Sequence, residues 1–209
     1  MFHKFIAEQL KNPDGIIGKF ILGSLWNRRN ASLNDVTMEH LEVNKDDSII
    51  DIGFGGGYLL EKIINRISDG YISGIDSSKA MVENFRKKRM EIIKKGRLDI
   101  QCASVEAIPY GSEHFMKASS VNSIFYWKEP EKGISEVYRI LKKKGLFVLT
   151  YTCKKDLDKK GFTPYGINTY TDEEVKTMMV SAGFEQLTIK QFSDRYRDFT
   201  LLTGKKMNG

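Results

Sequence analysis

The chain is poor in the residues that staple small proteins or hold metals. Its 209 residues include only two cysteines, Cys102 and Cys153, and three histidines. The cysteines are far apart and form no CxxC pair, so neither a disulfide framework nor a zinc module is expected, and no metal-ligand set stands out. A chain with such cysteine usage fits a reducing, cytoplasmic setting. No stretch approaches the ~20 consecutive apolar residues that a membrane helix requires. At the N-terminus, charge interrupts the apolar residues of Met1–Gln9 too early for a signal-peptide core. There are no internal repeats and no low-complexity tracts.

What is present is the composition of an ordinary globular protein, 41% hydrophobic and 29% charged. A chain of this size buries roughly 70% of its unfolded surface, so its core needs no covalent staple. The length suits one α/β domain with a short extension, divided here into a helical capping segment over 1–45 and a main domain over 46–209. The formal net charge of +6 raises two readings: an anionic partner, or lysines on solvated helix faces. The second is preferred. Lys142-Lys143-Lys144 is read as a helix end complementing the helix dipole, and Arg86–Arg89 with Lys94-Lys95 as the outer face of a long helix.

From residue 48 onward, short β-rich runs alternate with helical spacing, the signature of a parallel α/β sheet. Strands are expected at 48–52, 70–76, 98–103, 118–124 and 146–151, with a closing hairpin over 184–192 and 196–203. Helices are expected at 58–67, from an N-cap at Ser77-Ser78 to about Lys95, over 131–143, and from Thr171-Asp172-Glu173-Glu174 to Gly183. The polar connection 153–170 is long for a compact domain and reads as a lid or binding segment.

The informative segment is Asp51-Ile52-Gly53-Phe54-Gly55-Gly56-Gly57, between a strand and a helix. Glycines there let the backbone turn sharply and approach a ligand closely, beyond the carboxyl end of a strand where open parallel sheets bind. Spacing excludes a dinucleotide fingerprint, because G-x-G-x-x-G would place its third glycine at Tyr58 or Leu60. An acid, Asp76, closes the next strand.

This D-x-G-x-G-x-G pattern resembles the class I S-adenosylmethionine-dependent methyltransferases. Further stretches match in order. Ala103–Tyr110 is similar to the family's G-D-A-x-x-L-P-F, with Ser104 where an aspartate is usual. Glu136–Leu146 is similar to E-x-x-R-x-L-K-P-G-G. Thr171–Phe184 resembles the late helix and AGF turn of the ubiquinone/menaquinone-biosynthesis-like branch, and Gln9–Asn34 its capping segment. Phe115-Met116 departs from the usual F-D.

The resemblance implies a Rossmann-like, doubly wound, seven-stranded, mostly parallel sheet with an antiparallel C-terminal hairpin and an N-terminal helical cap. It implies S-adenosylmethionine as cofactor, with Asp51, Gly53, Gly55, Gly57, Asp76, Ser77, Met81, Ser104, Val105, Glu106 and Asn122 around it. Asp76 would accept from the ribose hydroxyls, and Ser104, Val105 and Glu106 would border the adenine. An aromatic substrate pocket is expected from Trp26, Asn30, Tyr126, Trp127, Tyr151 and Tyr165, with Tyr170 nearby. The acceptor would be a small molecule. His3, His40 and His114 lie outside the motifs, so no catalytic base is assigned. Neither the Pro-Cys of cytosine-5 methyltransferases nor N-P-P-Y is present, which argues against nucleic-acid bases. The sequence is silent on oligomeric state. The alternative is a non-catalytic S-adenosylmethionine- or RNA-binding module on a degenerate version of the fold.

Overall fold

The computed structural model describes residues 30–159 and 167–207. Helix α1, Ala31–His40, precedes β1, Ser48–Ile52. There follow α2 (Tyr58–Ile64), β2 (Tyr71–Asp76), α3 (Lys79–Lys88), α4 (Met90–Lys94) and β3 (Leu98–Cys102). The second half comprises β4 (Phe115–Val121), α5 (Pro130–Ile140), β5 (Leu141–Thr152), α6 (Lys154–Lys159), α7 (Asp172–Ser181), β6 (Glu185–Ser193) and β7 (Asp198–Lys205). Single turns of 3-10 helix occupy Val105–Ala107 and Ile124–Tyr126.

The strands form one seven-stranded sheet in the order β3-β2-β1-β4-β5-β7-β6. The first five pair in parallel, and β7 is antiparallel to both β5 and β6. This is the expected architecture. Alternation within the strands separates two cores. Ile49, Ile72, Leu98 and Val148 pack with α2 and α3 on one face, while Ile50, Ile75, Phe147 and Leu149 pack with α5 and α7 on the other. Apolar faces on both sides are the mark of a covered, mostly parallel sheet.

Helix starts follow local chemistry. Ser78 caps α3 by accepting from the Met81 N–H at 3.5 Å. Thr171 and Glu174 form a reciprocal capping box on α7, which satisfies two otherwise orphaned N–H groups. Pro130 opens α5, where its missing N–H costs nothing.

Four expectations need correction. The fourth strand runs over Phe115–Val121, not to Ile124, because Asn122 adopts φ +53° and turns the chain out of extended conformation. The helix expected to end at Lys143 stops at Ile140, and Lys142–Lys144 belong to β5. There the pairing jumps from Phe115–Leu141 to Lys117–Leu146, so the lysines form an exposed irregularity, with Lys144 at φ +64°. Their helix-dipole explanation therefore falls. The long helix towards Lys95 is broken at Arg89, whose φ of −120° and ψ of 22° are not helical. The connection after β5 contains a helix, α6.

Only residues 30–45 of the expected cap fall within the described residues. Its helix α1 packs against α2 and across β5, where the Thr37 and Thr150 hydroxyls bond at 2.6 Å. At the opposite end of the sheet, Lys117 donates to Asp47 Oδ2 (2.7 Å) and to the Glu42 carbonyl (2.6 Å), pinning the chain that links α1 to β1.

Candidate functional site

The strand order reverses between β1 and β4, and the segments leaving the carboxyl ends of those strands diverge to opposite faces. A cleft at such a switch point is where doubly wound sheets bind ligands.

On the β1 side, the glycine loop takes three left-handed residues, with φ +70° at Gly53, +53° at Gly55 and +77° at Gly57. The reasons differ. A Cβ on Gly53 would lie 2.6 Å from Ser123 Cβ, and one on Gly57 would overlap the Phe85 ring, whereas one on Gly55 would meet nothing within 4 Å. Gly53 and Gly57 are thus required by packing as well as conformation. Gly55 leaves backbone bare beside open space, as a closely approaching ligand needs.

The loop is held by Asp76 at the end of β2. Its Oδ2 accepts from the Gly55 N–H at 2.8 Å and its Oδ1 from the Ser78 N–H at 2.8 Å. Burial pushes this carboxyl above its ordinary range, with the two backbone donors opposing. Each oxygen keeps a further lone pair, so the half-buried carboxylate can still accept from a vicinal diol. Bare backbone at Gly55 beside a carboxylate with spare acceptor capacity fits the ribose and methionine portions of S-adenosylmethionine. Ser77 is exposed next to it.

Asp51 lies behind the loop, 3% exposed, and accepts from Ser119 Oγ at 2.8 Å. Burial raises its carboxyl to about 7; the Ser119 hydrogen bond lowers it and the charge of Asp76 raises it further. Met81 is buried in the α3 core with Phe54 and Phe85.

On the adenine side expected from sequence, Val105 is buried and Ser104 is exposed. Ser104 donates to Glu106, and Glu106 Oε1 accepts from the N–H groups of Lys128 (2.8 Å) and Glu129 (3.3 Å). Glu106 thereby fastens the segment after β4 to the segment after β3.

Asn122 ends β4. Its Oδ1 accepts from the Thr152 N–H (2.9 Å) and hydroxyl (3.1 Å), and its Nδ2 donates to Asn30 Oδ1 at 3.0 Å. Arg197, in the β6–β7 turn, donates through Nη1 to Asn30 Oδ1 (3.2 Å) and Thr152 Oγ1 (3.3 Å). Four segments far apart in the chain, around Asn30, Asn122, Thr152 and Arg197, thus meet on the carboxyl-end face of the sheet.

The aromatic residues divide. Tyr126 follows Asn122 closely; burial holds its phenol far above the ordinary range, with the Arg197 charge opposing. Trp127 is buried against Gly133 and donates from Nε1 to Ser123 Oγ at 3.1 Å. Tyr151 is fully buried, and its hydroxyl donates to Asp172 Oδ1 at 2.9 Å. Burial, then the charge of Asp172, keep that phenol protonated. Trp26 and Tyr165 lie outside the described residues. Tyr170 packs on the core and lines a cavity of about 480 Å³ on the same face, between Cys153, Asp172 and Gln191.

The two described histidines stand elsewhere. His40 bonds the Val36 carbonyl and sits edge-on to Phe192, and His114 lies in an aromatic cluster with Tyr71, Tyr110 and Phe115. Sequence reading missed Arg197 and Thr152, which carry no motif. It also missed that Asp76 and Glu106 tie loops together.

A methyltransferase-domain family model matches residues 50–149. The uncharacterized methyltransferase YdaC of Bacillus subtilis is 30% identical over 171 residues, 81% of this chain and 89% of that protein. The 2-methyl-6-phytyl-1,4-hydroquinone methyltransferase 1 of rice chloroplasts is 26% identical over 149 residues, 71% of this chain but only 44% of the plant protein. Among solved structures, geranyl diphosphate C-methyltransferase from Streptomyces coelicolor aligns with a TM-score of 0.73 at 15% identity, covering 87% of this chain and 80% of that one. The [4+2]-cyclase SpnF aligns with 0.74 at 21% identity, covering 88% and 83%. These two structural likenesses speak for the fold alone. Sequence kinship over most of YdaC, joined to the glycine loop and Asp76, goes further: the chain belongs to the class I S-adenosylmethionine-dependent methyltransferases, in their ubiquinone/menaquinone-biosynthesis-like branch.

Proposed function

We propose that this enzyme methylates an apolar, planar small molecule of the hydroquinone or phenol type, bound beside Asn122 and Tyr126. The carrying observation is the juxtaposition across the cleft: the glycine loop and Asp76 on one side, Asn122 and the half-buried Tyr126 on the other. S-adenosylmethionine, when bound, supplies an activated sulfonium methyl. Around it we assign Asp51, Gly53, Gly55, Gly57, Asp76, Ser77 and Asn122, with Met81, Ser104, Val105 and Glu106 bordering the adenine. Trp26, Asn30, Tyr126 and Tyr165 are assigned to the acceptor side, and Trp127 and Tyr151 to the wall behind it.

The protein's task in such a transfer is alignment and exclusion of water. Holding donor and acceptor in line supplies on the order of 7–11 kcal/mol. Asp76 and Gly55 orient the donor. The Asn30–Asn122–Thr152–Arg197 network fixes the carboxyl ends of β4 and β5, so the acceptor meets a rigid wall. A ring hydroxyl on the acceptor activates its own carbons towards attack, which relieves the protein of supplying a strong base. The hydroquinone substrate of the plant relative has this chemistry by name. The segment before residue 46 would complete the cap, and a cytoplasmic location accords with the absence, among described residues, of any helix long and apolar enough to cross a membrane.

A thermal shift with S-adenosylmethionine, S-adenosylhomocysteine and NAD tests the cofactor. A ligand at 100 times its Kd stabilises by roughly 2.7 kcal/mol. The two sulfur ligands should shift the melting and NAD should not. A labelled-methyl screen of hydroquinones and phenols then tests the acceptor class; transfer only to amines, thiols or nucleic acid would overturn it.

A further inference from the structure

The cationic residues of this chain are unevenly placed. Between Arg86 and Arg97 the sequence carries seven lysines and arginines against one acid, Glu91. That net +6 equals the formal charge of the whole protein, so the remainder is neutral overall. Solvated lysines scattered over helix faces, the reading preferred from sequence, would not concentrate in this way.

The structure divides these cations into two groups. The inner ones build the scaffold. Arg86 Nε donates to the Ile100 carbonyl of edge strand β3 at 2.6 Å, and Arg97 Nη2 to the Ile67 carbonyl at 2.5 Å. Lys88 and Arg89 both engage Glu61 of α2, Lys88 at 3.0 Å. The outer ones, Lys87, Lys94 and Lys95, are exposed, and their side chains make no ion pair or hydrogen bond among the described residues. Between them stands Met90, 49% exposed, the first residue of α4, a helix with no buried residue. Ile92 and Ile93 are half-buried beneath it against the α3 core.

A half-exposed apolar side chain flanked along the chain by exposed, unpaired lysines, on a backbone braced from behind, complements an anionic lipid surface. Apolar insertion and electrostatic attraction act together on such surfaces, each lysine near an anionic leaflet being worth about 1 kcal/mol. Single-stranded nucleic acid is the weaker match, because it is held by aromatic stacking platforms and residues 86–97 contain no aromatic side chain. The patch precedes β3 and so lies at the amino-end face of the parallel strands, opposite the glycine loop. A surface bound there leaves the cofactor cleft open. We propose that the α3–α4 corner is a peripheral docking site for membranes containing anionic phospholipid.

Co-sedimentation of the full-length protein with vesicles tests this. At ~0.1 M salt, where screening still permits attraction, the protein should pellet with phosphatidylcholine vesicles containing phosphatidylglycerol and not with phosphatidylcholine alone. K87Q/K94Q/K95Q should lower the partition by about 100-fold, and M90S by several-fold. Both variants should keep the wild-type thermal shift with S-adenosylhomocysteine, which separates lost docking from lost folding or a lost site. The proposal is overturned if the wild type stays in the supernatant with anionic vesicles, if the triple variant pellets as the wild type does, or if homopolymer RNA strips the protein from the vesicles at equal charge concentration.

Discussion

Replacing Gly55 and Gly57 with alanine, one at a time, separates what packing demands of the glycine loop from what a ligand demands. Both residues are left-handed, at φ +53° and +77°, and a Cβ there costs about 1–2 kcal/mol. The surroundings differ. The new methyl of G57A would overlap the Phe85 ring, and overpacking of that kind adds about 1–3 kcal/mol. G55A meets no atom within 4 Å and adds nothing further. The expected losses are about 2–5 kcal/mol for G57A and about 1–2 for G55A. At about 2–4 °C per kcal/mol for a chain of this size, G57A should melt about 4–20 °C below wild type and G55A about 2–8 °C below. Differential scanning calorimetry reads both directly. F85L should recover part of the G57A loss and none of the G55A loss, because only the first pair shares a contact. S-adenosylhomocysteine gives the second readout: G55A should stay folded yet lose most of its stabilisation by this ligand, since its methyl occupies the open space beside Asp76. Equal destabilisation by the two variants would refute the packing argument. Full ligand stabilisation of G55A would refute the reading of that space as the cofactor's approach.

Asp51 makes stability depend on pH. Its carboxyl is raised to about 7 in the folded protein from 3.8, so between those values the native state binds the extra proton and stability falls as pH rises. At about 1.4 kcal/mol per pH unit, the fall reaches roughly 4 kcal/mol. D51N should remove it, so urea titrations from pH 4 to 8 should show wild type losing ground steadily to the variant; parallel curves would contradict the assignment. Lys117 answers the buried Asp47 carboxylate at 2.7 Å. K117M should cost about 3–5 kcal/mol in urea unfolding by stranding that charge, and K117M/D47N should recover much of it. D76N weakens an acceptor for the glycine loop and, in the proposed site, for the ribose. Charge-assisted hydrogen bonds of this type are worth about 1.5–3 kcal/mol, so calorimetric titration should show S-adenosylhomocysteine binding about 10- to 150-fold weaker, and unchanged affinity would exclude Asp76 from the site.

Sequence alone determined the parts of this protein that depend on neighbours in the chain. The glycine loop was legible because sharp turning and close approach are demands on consecutive residues. Asp76 was legible because it ends a short β-rich run, and the capping box at Thr171–Glu174 because its two bonds close within one turn. The alternation of strand and helix followed from periodicity, so the parallel sheet and its closing hairpin were readable from the chain alone. Tertiary structure decided whatever joins segments far apart. It ended β4 at Asn122, whose left-handed turn is fixed by Thr152 thirty residues later, and it drew Lys142–Lys144 out of a helix into an irregularity of β5 set by pairing with β4. It brought Arg197 to Asn30 and Thr152, which no local pattern announces. It also sent Trp127 and Tyr151 into the core, though their spacing did not distinguish a pocket from a wall. Periodicity reports which face of an element is apolar. What covers that face, and which polar groups meet at its ends, is settled only when the elements pack.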